Sequence, residues 1–172
     1  MSRPGFKKDK HEAVRALAIQ DLQLLLGAEP HLAKACRGLS RRSQSADLRT
    51  FCNEGVTYTL RRVRRIKAAL RKLDTPLISK PSSGLDGLIK DAKRAAVRSK
   101  NAETDVAILA AIERISHCGL AIYTAIDRYL RFAGVPDARR LLIPSTKEKR
   151  DAIGEMSRMA RKRLLPRVNH PG

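Results

Sequence analysis

The chain has no tryptophan, only three tyrosines and three phenylalanines, and just three cysteines and four histidines in 172 residues. So few aromatics argue against a sheet core built on rings and against a platform that stacks unpaired bases. Cys36, Cys52 and Cys118 are widely spaced and form no CxxC pair, and an odd number cannot all pair within one chain, so reduced thiols are expected. No glutamate is followed three residues later by a histidine. The Glu-x-x-His pairs of a carboxylate-bridged dinuclear centre are therefore missing. Uninterrupted apolar runs are too short to span a bilayer, and residues 1–10 carry no apolar signal-like stretch, which predicts a soluble, cytoplasmic protein. With no Ser/His/Asp arrangement and no phosphate-binding loop, the sequence names no catalytic residue, no metal ligand and no cofactor. It reads as a non-enzyme.

Acid is scarce too: 17 Asp and Glu face 36 Lys and Arg, a formal charge of +19 and a pI near 10.8. Such a surface attracts polyanions, whether nucleic acid, anionic lipid or an acidic protein. Hydrophobic residues, 42% of the chain and chiefly Leu, Ala, Ile and Val, suffice for one helical domain. The expected organisation is a mobile basic arm over 1–10, a bundle over 11–165 and a flexible tail over 166–172.

Periodicity predicts an all-α fold. Val14, Leu17, Ala18, Leu25 and Ala28 share one face of a first helix over about 12–28. Gly27 and Pro30 predict a break before a shorter piece over 31–36, and Gly38 to Ser45 reads as a loop. Ser45 or Asp47 caps a second helix to about Leu73, with a stripe of Leu48, Phe51, Cys52, Gly55, Thr59, Val63, Ile66 and Leu70. A Pro- and Ser-containing connection over 74–84 leads to a short basic helix over 85–99. Asp105 opens the clearest helix, which carries Ile108, Ile112, Ile115, Gly119, Ile122, Ile126 and Leu130 inward and ends at Gly134. A last helix starts at Pro136, is interrupted by Pro144, and restarts with Ser145 and Glu148 at capping-box spacing, running to about Leu164. These elements fit a ferritin-like antiparallel four-helix bundle with a short extra helix in the long connection.

The basic residues concentrate in two places. Arg61, Arg64, Arg65, Lys67, Arg71 and Lys72 spread over the outer faces of the second helix, while Arg62 lies at the edge of its apolar stripe with room to snorkel outward. Arg158, Arg161, Lys162, Arg163 and Arg167 form the second cluster, near the C-terminus. Together they predict contact with phosphate backbones, indifferent to sequence and weakened by salt.

From Asp105 to Tyr123 the chain reads DVAILAAIERISHCGLAIY, which resembles the third helix of the YciE/YciF group of bacterial ferritin-like proteins, roughly D-x-A-L-I-x-A-A-x-x-V-E-H-Y-E-I-A-x-Y. Gly84 to Ala92, Asp47-Leu-Arg, Thr59 to Arg65 and Pro30 to Ala35 carry weaker likenesses. The resemblance implies a four-helix bundle with a dinuclear metal site of Glu and His, and a link to stress. At the implied ligand positions stand Ser116 and Gly119 flanking His117, Gly55 for a histidine, Leu22 beside Asp21 for a first-helix glutamate, and Glu148-Lys149 for a Glu-Glu pair. Buried carboxylates without a balancing cation are costly, so losing the metal favours losing its ligands. Gly55 and Gly119, mid-helix on inward stripes, are expected to let the second and third long helices approach closely.

The sequence therefore predicts a stress-associated bundle that has lost its metal and binds nucleic acid or an acidic protein, as a homodimer or with a ferritin-like relative. The alternative is a genuine iron-binding protein in which Asp21, Glu54, Glu113, His117 and Glu148 converge. A membrane-surface role is less favoured, because every amphipathic segment has a core to face.

Overall fold

The computed structural model describes residues 4–99 and 102–161; Lys162, Arg163, Arg167 and the 166–172 tail lie outside them. The described residues are all-α, with five helices and no strand: α1 (Pro4–Arg42), α2 (Ala46–Lys72), α3 (Ser83–Arg98), α4 (Ala102–Phe132) and α5 (Pro136–Met159). α1 packs on α2 and α4, and α5 packs on the same two helices. The four long helices thus enclose one core, and α3 lies against α1 and α4. Ion pairs and hydrogen bonds fix the directions. Glu29 meets Arg62 and Ser40 meets Arg49 across α1 and α2, while Asp127 meets Arg139 across α4 and α5, so both pairs run antiparallel.

The apolar stripes fill the centre. Leu22, Leu25, Leu48, Ile66, Leu70, Ile108, Ile115, Ile126 and Leu130 are almost wholly removed from water. Leu17, expected inward, is 46% exposed. By length and composition Glu103–Phe132 could cross a membrane, but here its inward stripe is packed against the neighbouring helices.

α1 corrects the expected break. It runs unbroken through Gly27, Pro30 and Gly38, and residues 4–10 are helical within it. Pro30 is exposed and removes one backbone donor, yet Leu25, Leu26, Ala28, Leu32 and Ala33 are buried on either side of it. Burial of that stripe outweighs the local cost of proline, about 3 kcal/mol. Gly27 is a close-approach glycine instead of a breaker. The connection after α2 crosses α1 there: Lys80 N–H donates to the Gln23 carbonyl at 3.0 Å, and a Cβ on Gly27 would collide with the Lys80 carbonyl.

α5 likewise continues through Pro144, which is exposed between buried Leu142 and Ser145. Ser145 is therefore mid-helix, and the expected capping box does not form. At the other helix ends, the sequence signals hold better. Gly134 adopts φ +69° just beyond α4, where L side chains are strained. α4 begins at Ala102, one turn before Asp105, and Asp105 takes a different task. Its buried carboxylate accepts the backbone N–H groups of Gln44 and Ser45 at 2.8 and 2.6 Å, capping α2 from another helix. Ser45 holds the expected N-cap position of α2, although its side chain makes no cap hydrogen bond.

Candidate functional site

Midway along the bundle, where aliphatic side chains would be expected, charged groups meet. Glu29 on α1 is 2% exposed, Arg62 on α2 5% and Lys149 on α5 4%. Arg62 binds Glu29 through both arms of the fork: Nε donates to Oε1 and Nη2 to Oε2, each at 3.0 Å. Nη2 also donates to Thr59 Oγ1 at 2.7 Å, one turn back on α2. From α4, the Tyr123 hydroxyl donates to Glu29 Oε1 at 3.2 Å. This bidentate geometry is the strong form of an ion pair, and it satisfies both oxygens of a carboxylate removed from water.

A further layer of charge joins α2 to α5. Arg65 Nη1 donates to Glu148 Oε1 at 2.7 Å and reaches Ser145 Oγ at 3.4 Å. Glu148 Oε2 stands 3.8 Å from Arg62 Nη1, beyond hydrogen-bond reach, and is buried without a hydrogen-bond partner among the described residues. Lys149 extends across the core to α4, where a Cβ on Gly119 would lie 3.1 Å from its Nζ. Gly119 thus makes room for a lysine, and Gly55 faces Cys36 of α1 at ordinary contact distance. The two glycines serve different neighbours, and neither marks the expected approach of the second long helix to the third.

Electrostatics follow from this crowding. Burial pushes the Glu29 carboxyl up, but Lys149, Arg62 and the hydrogen bonds from Arg62 and Tyr123 outweigh it and hold it below its usual value. Burial pulls the Lys149 ammonium down to about 8, with Glu29 opposing and Arg62 reinforcing. Arg62 stays charged, because Glu29 more than offsets its own desolvation. Burial and the Glu29 charge raise the Tyr123 hydroxyl well above its ordinary value. The nearby thiols are muted: burial lifts Cys36 to about 11 and Cys52 to about 12, so neither is a ready nucleophile.

A cavity of about 120 Å³ opens between α2 and α5 onto this cluster. Leu32, Phe51 and Ile112 form its apolar wall, Arg62, Glu148 and Lys149 line its polar part, and the exposed carboxylates Glu54, Asp151 and Glu155 stand around it.

The structure sorts the expected basic residues into two kinds. Arg61, Arg64, Lys67, Arg71 and Lys72 are exposed on one outward face of α2, and none has an ion pair among the described residues. Arg65 is half-buried and engaged with Glu148, and Arg62 does not snorkel out but points into the core. Arg158 and Arg161 are exposed at the end of α5, and Arg158 lies beside Asp47, Thr50 and Glu54 near the start of α2. That is roughly 20 Å along α2 from its basic face, at 1.5 Å per residue. Among the described residues the two clusters do not merge into one patch.

Among the proposed alternative ligands, Glu54 and His117 are exposed and Asp21 and Glu113 half-buried. No group of three or more His, Cys, Asp or Glu residues is placed to hold a metal ion among the described residues. Sequence reasoning misses Glu29, Arg62 and Lys149 as interior residues, although each sits in apolar register. Glu29 falls between Leu25 and Leu32, Arg62 between Thr59 and Ile66, and Lys149 between Ser145 and Met156, at helical steps of three, four or seven.

The model of the family described as "Domain of unknown function (DUF892)" matches residues 14–168, nearly the whole helical array. The chain belongs to this family. Two solved structures share the DUF892 fold seen here. YciF, a stress protein of E. coli, is 21% identical with a TM-score of 0.82, covering 92% of this chain and 98% of its own. YcfI, a candidate structural protein from Rhodopseudomonas palustris, is 22% identical with a TM-score of 0.81, covering 84% of this chain and 92% of its own. At this identity the likeness speaks for the fold, and it bears out the YciE/YciF resemblance read from the third long helix. No curated protein matches the sequence.

Proposed function

We propose that this DUF892 protein is a ferritin-like four-helix bundle that has given up a dinuclear metal site and binds polyanions through the outer face of α2, without catalysing a reaction. The pairing of α1 with α2 and of α4 with α5, with α3 inside the one long connection, supports the ferritin-like reading.

The donors in the interior do not suit a dinuclear centre. Glu29 already gives both carboxylate oxygens to Arg62 and one of them also to Tyr123, and Lys149 adds a further positive charge close by. A metal cation brought there would meet two side-chain cations and a carboxylate already engaged through both oxygens. On this reading Arg62 and Lys149 supply the positive charge that a metal supplies in a carboxylate-bridged bundle.

The observation that carries the binding role is the outward face of α2. Arg61, Arg64, Lys67, Arg71 and Lys72 span roughly 16 Å of rigid helix and share an arc opposite the buried stripe. Their charge is not taken up by neighbouring acids, so it is available to phosphates. Stress association is stated for the E. coli relative and is proposed for this chain with it.

Duplex DNA titrated between 50 and 200 mM salt tests this role. Affinity should fall steeply with salt, and alanine at all five α2 positions should flatten the log–log slope by about 4.5, at roughly 0.9 for each phosphate no longer neutralised. No binding to long duplex at the lowest salt contradicts the reading. Metal analysis tests the other half, and stoichiometric iron, manganese or zinc in the purified protein rejects it.

A further inference from the structure

Ser116 on α4 is 6% exposed, and its hydroxyl has no hydrogen-bond partner among the described residues. Thr124, further along the same helix, turns its hydroxyl back to the Leu120 carbonyl at 2.8 Å, the usual recourse of a helical hydroxyl. Ser116 instead lines the cavity between α2 and α5. Its side chain is a single carbon and the hydroxyl, so lining that space sets the oxygen at its edge.

The mouth of the same cavity is acidic, in a chain whose formal charge is +19. α2 presents Phe51, Glu54 and Tyr58 there at helical steps of three and four, and α5 presents Asp151 and Glu155 one turn apart. Asp151 is engaged with Lys147, whereas Glu54 and Glu155 have no ion pair among the described residues. We propose that this cavity binds a small hydroxylated aromatic amine, with its ammonium at Glu54 and Glu155 and its hydroxyl bonded to Ser116.

The lining sets both the class of ligand and its direction. Glu54, Tyr58 and Glu155 are exposed and form the mouth, while Arg62, Ile112 and Ser116 are buried and form the inner part. Arg62 repels a cation from the inner part, so the ammonium stays at the mouth. Repulsion from the distant basic residues is screened beyond about 8 Å at physiological ionic strength, which leaves the local carboxylates in control there. Between the two ends, Leu32, Phe51 and Ile112 offer an apolar wall to a ring. The volume of about 120 Å³ approaches the roughly 150 Å³ that holds a benzene, and a short amine tail needs only the open mouth. Phe51 and Tyr58, in a chain with three phenylalanines and three tyrosines, stand where a ring and an ammonium both gain from aromatic neighbours. The site faces α5, whereas polyanion binding uses the outward face of α2, so either reading can fail alone.

Tyramine titrated into the intact, isotope-labelled protein near neutral pH reads affinity and location together by NMR. Saturable shifts should gather around the cavity, at Gly55 and Ser116 among others. Three analogues each change one feature: phenethylamine lacks the hydroxyl, para-ethylphenol lacks the charge, and para-hydroxyphenylpropionate carries the opposite one. The first two should bind about tenfold more weakly than tyramine, and the anion should not shift the cavity residues. Replacing Glu54→Gln and Glu155→Gln together changes only exposed side chains. That double variant should reduce tyramine to the affinity of para-ethylphenol and leave para-ethylphenol itself unchanged. Ser116→Ala should reduce tyramine to the level of phenethylamine. Absence of a saturable shift up to about 10 mM tyramine overturns the proposal. So do shifts confined to residues away from the cavity, equal binding of the anion within it, or unaltered tyramine affinity in either variant.

Discussion

Arg61 and Arg62 are adjacent in sequence and opposite in circumstance. Arg61 is exposed, its guanidinium 5.7 Å from the Tyr58 ring centre; Arg62 lies about 100° further round α2 and is clamped on Glu29 in the core. The outer region of α2 holds charge that water already solvates, so each residue there is worth little to stability and is free for a partner. In the inner region charge has been taken out of water, so each group depends on the others. One helix thus carries a binding face and a structural ion pair, separated only by rotation about its axis.

Substitutions on either side of this contrast are expected to differ in size by an order of magnitude. Arg62→Met leaves Glu29 buried without its bidentate partner and should cost about 3–5 kcal/mol in urea unfolding. Loss below about 1 kcal/mol would place the inner pair in the range of exposed ones. Lys149→Met is expected to act in the other direction, stabilising by roughly 1–3 kcal/mol at pH 7, because an incompletely matched buried cation is replaced by a thioether of similar length. The sign can be read from pH. Lys149 titrates near 8 when folded and near its ordinary value of 10.5 when unfolded, so between those values the unfolded chain holds more protons and the wild type gains stability as pH rises. The advantage of the variant should be full below pH 8 and fade toward 10.5. A pH-independent difference across that window would refute the assignment.

Tyr123→Phe removes one donor to Glu29 and should cost about 1 kcal/mol by thermal or chemical melts. Arg61→Ala is expected to stay within about 0.5 kcal/mol while still weakening DNA binding. A large stability loss there would erase the distinction between the two regions.

Most of the fold is legible because helical periodicity survives in α2 and α4 with few errors: Leu48, Ile66, Leu70, Ile108, Ile115 and Ile126 are all buried as their spacing predicts. The failures share one physical cause. Judged on local cost alone, Pro30 and Pro144 are breakers, whereas burial on both sides of each proline holds the helices continuous. A first helix broken at Gly27–Pro30 then hides Glu29, the acid at the centre of the cluster. Arg62 and Lys149 are hidden differently, because a charge in apolar register is assigned to the surface unless its partner on another helix is known. The sequence does place all three in register. It does not say that they meet.

A double-mutant cycle on Glu29 and Arg62, using Glu29→Gln and Arg62→Met and equilibrium unfolding at pH 7, bears most directly on the claim that the bundle's own cations balance its buried acid. The account predicts that each single variant is severely destabilised and that the double variant recovers part of the loss, with a coupling energy of about 2–3 kcal/mol. Additive effects, with coupling near zero, would contradict it.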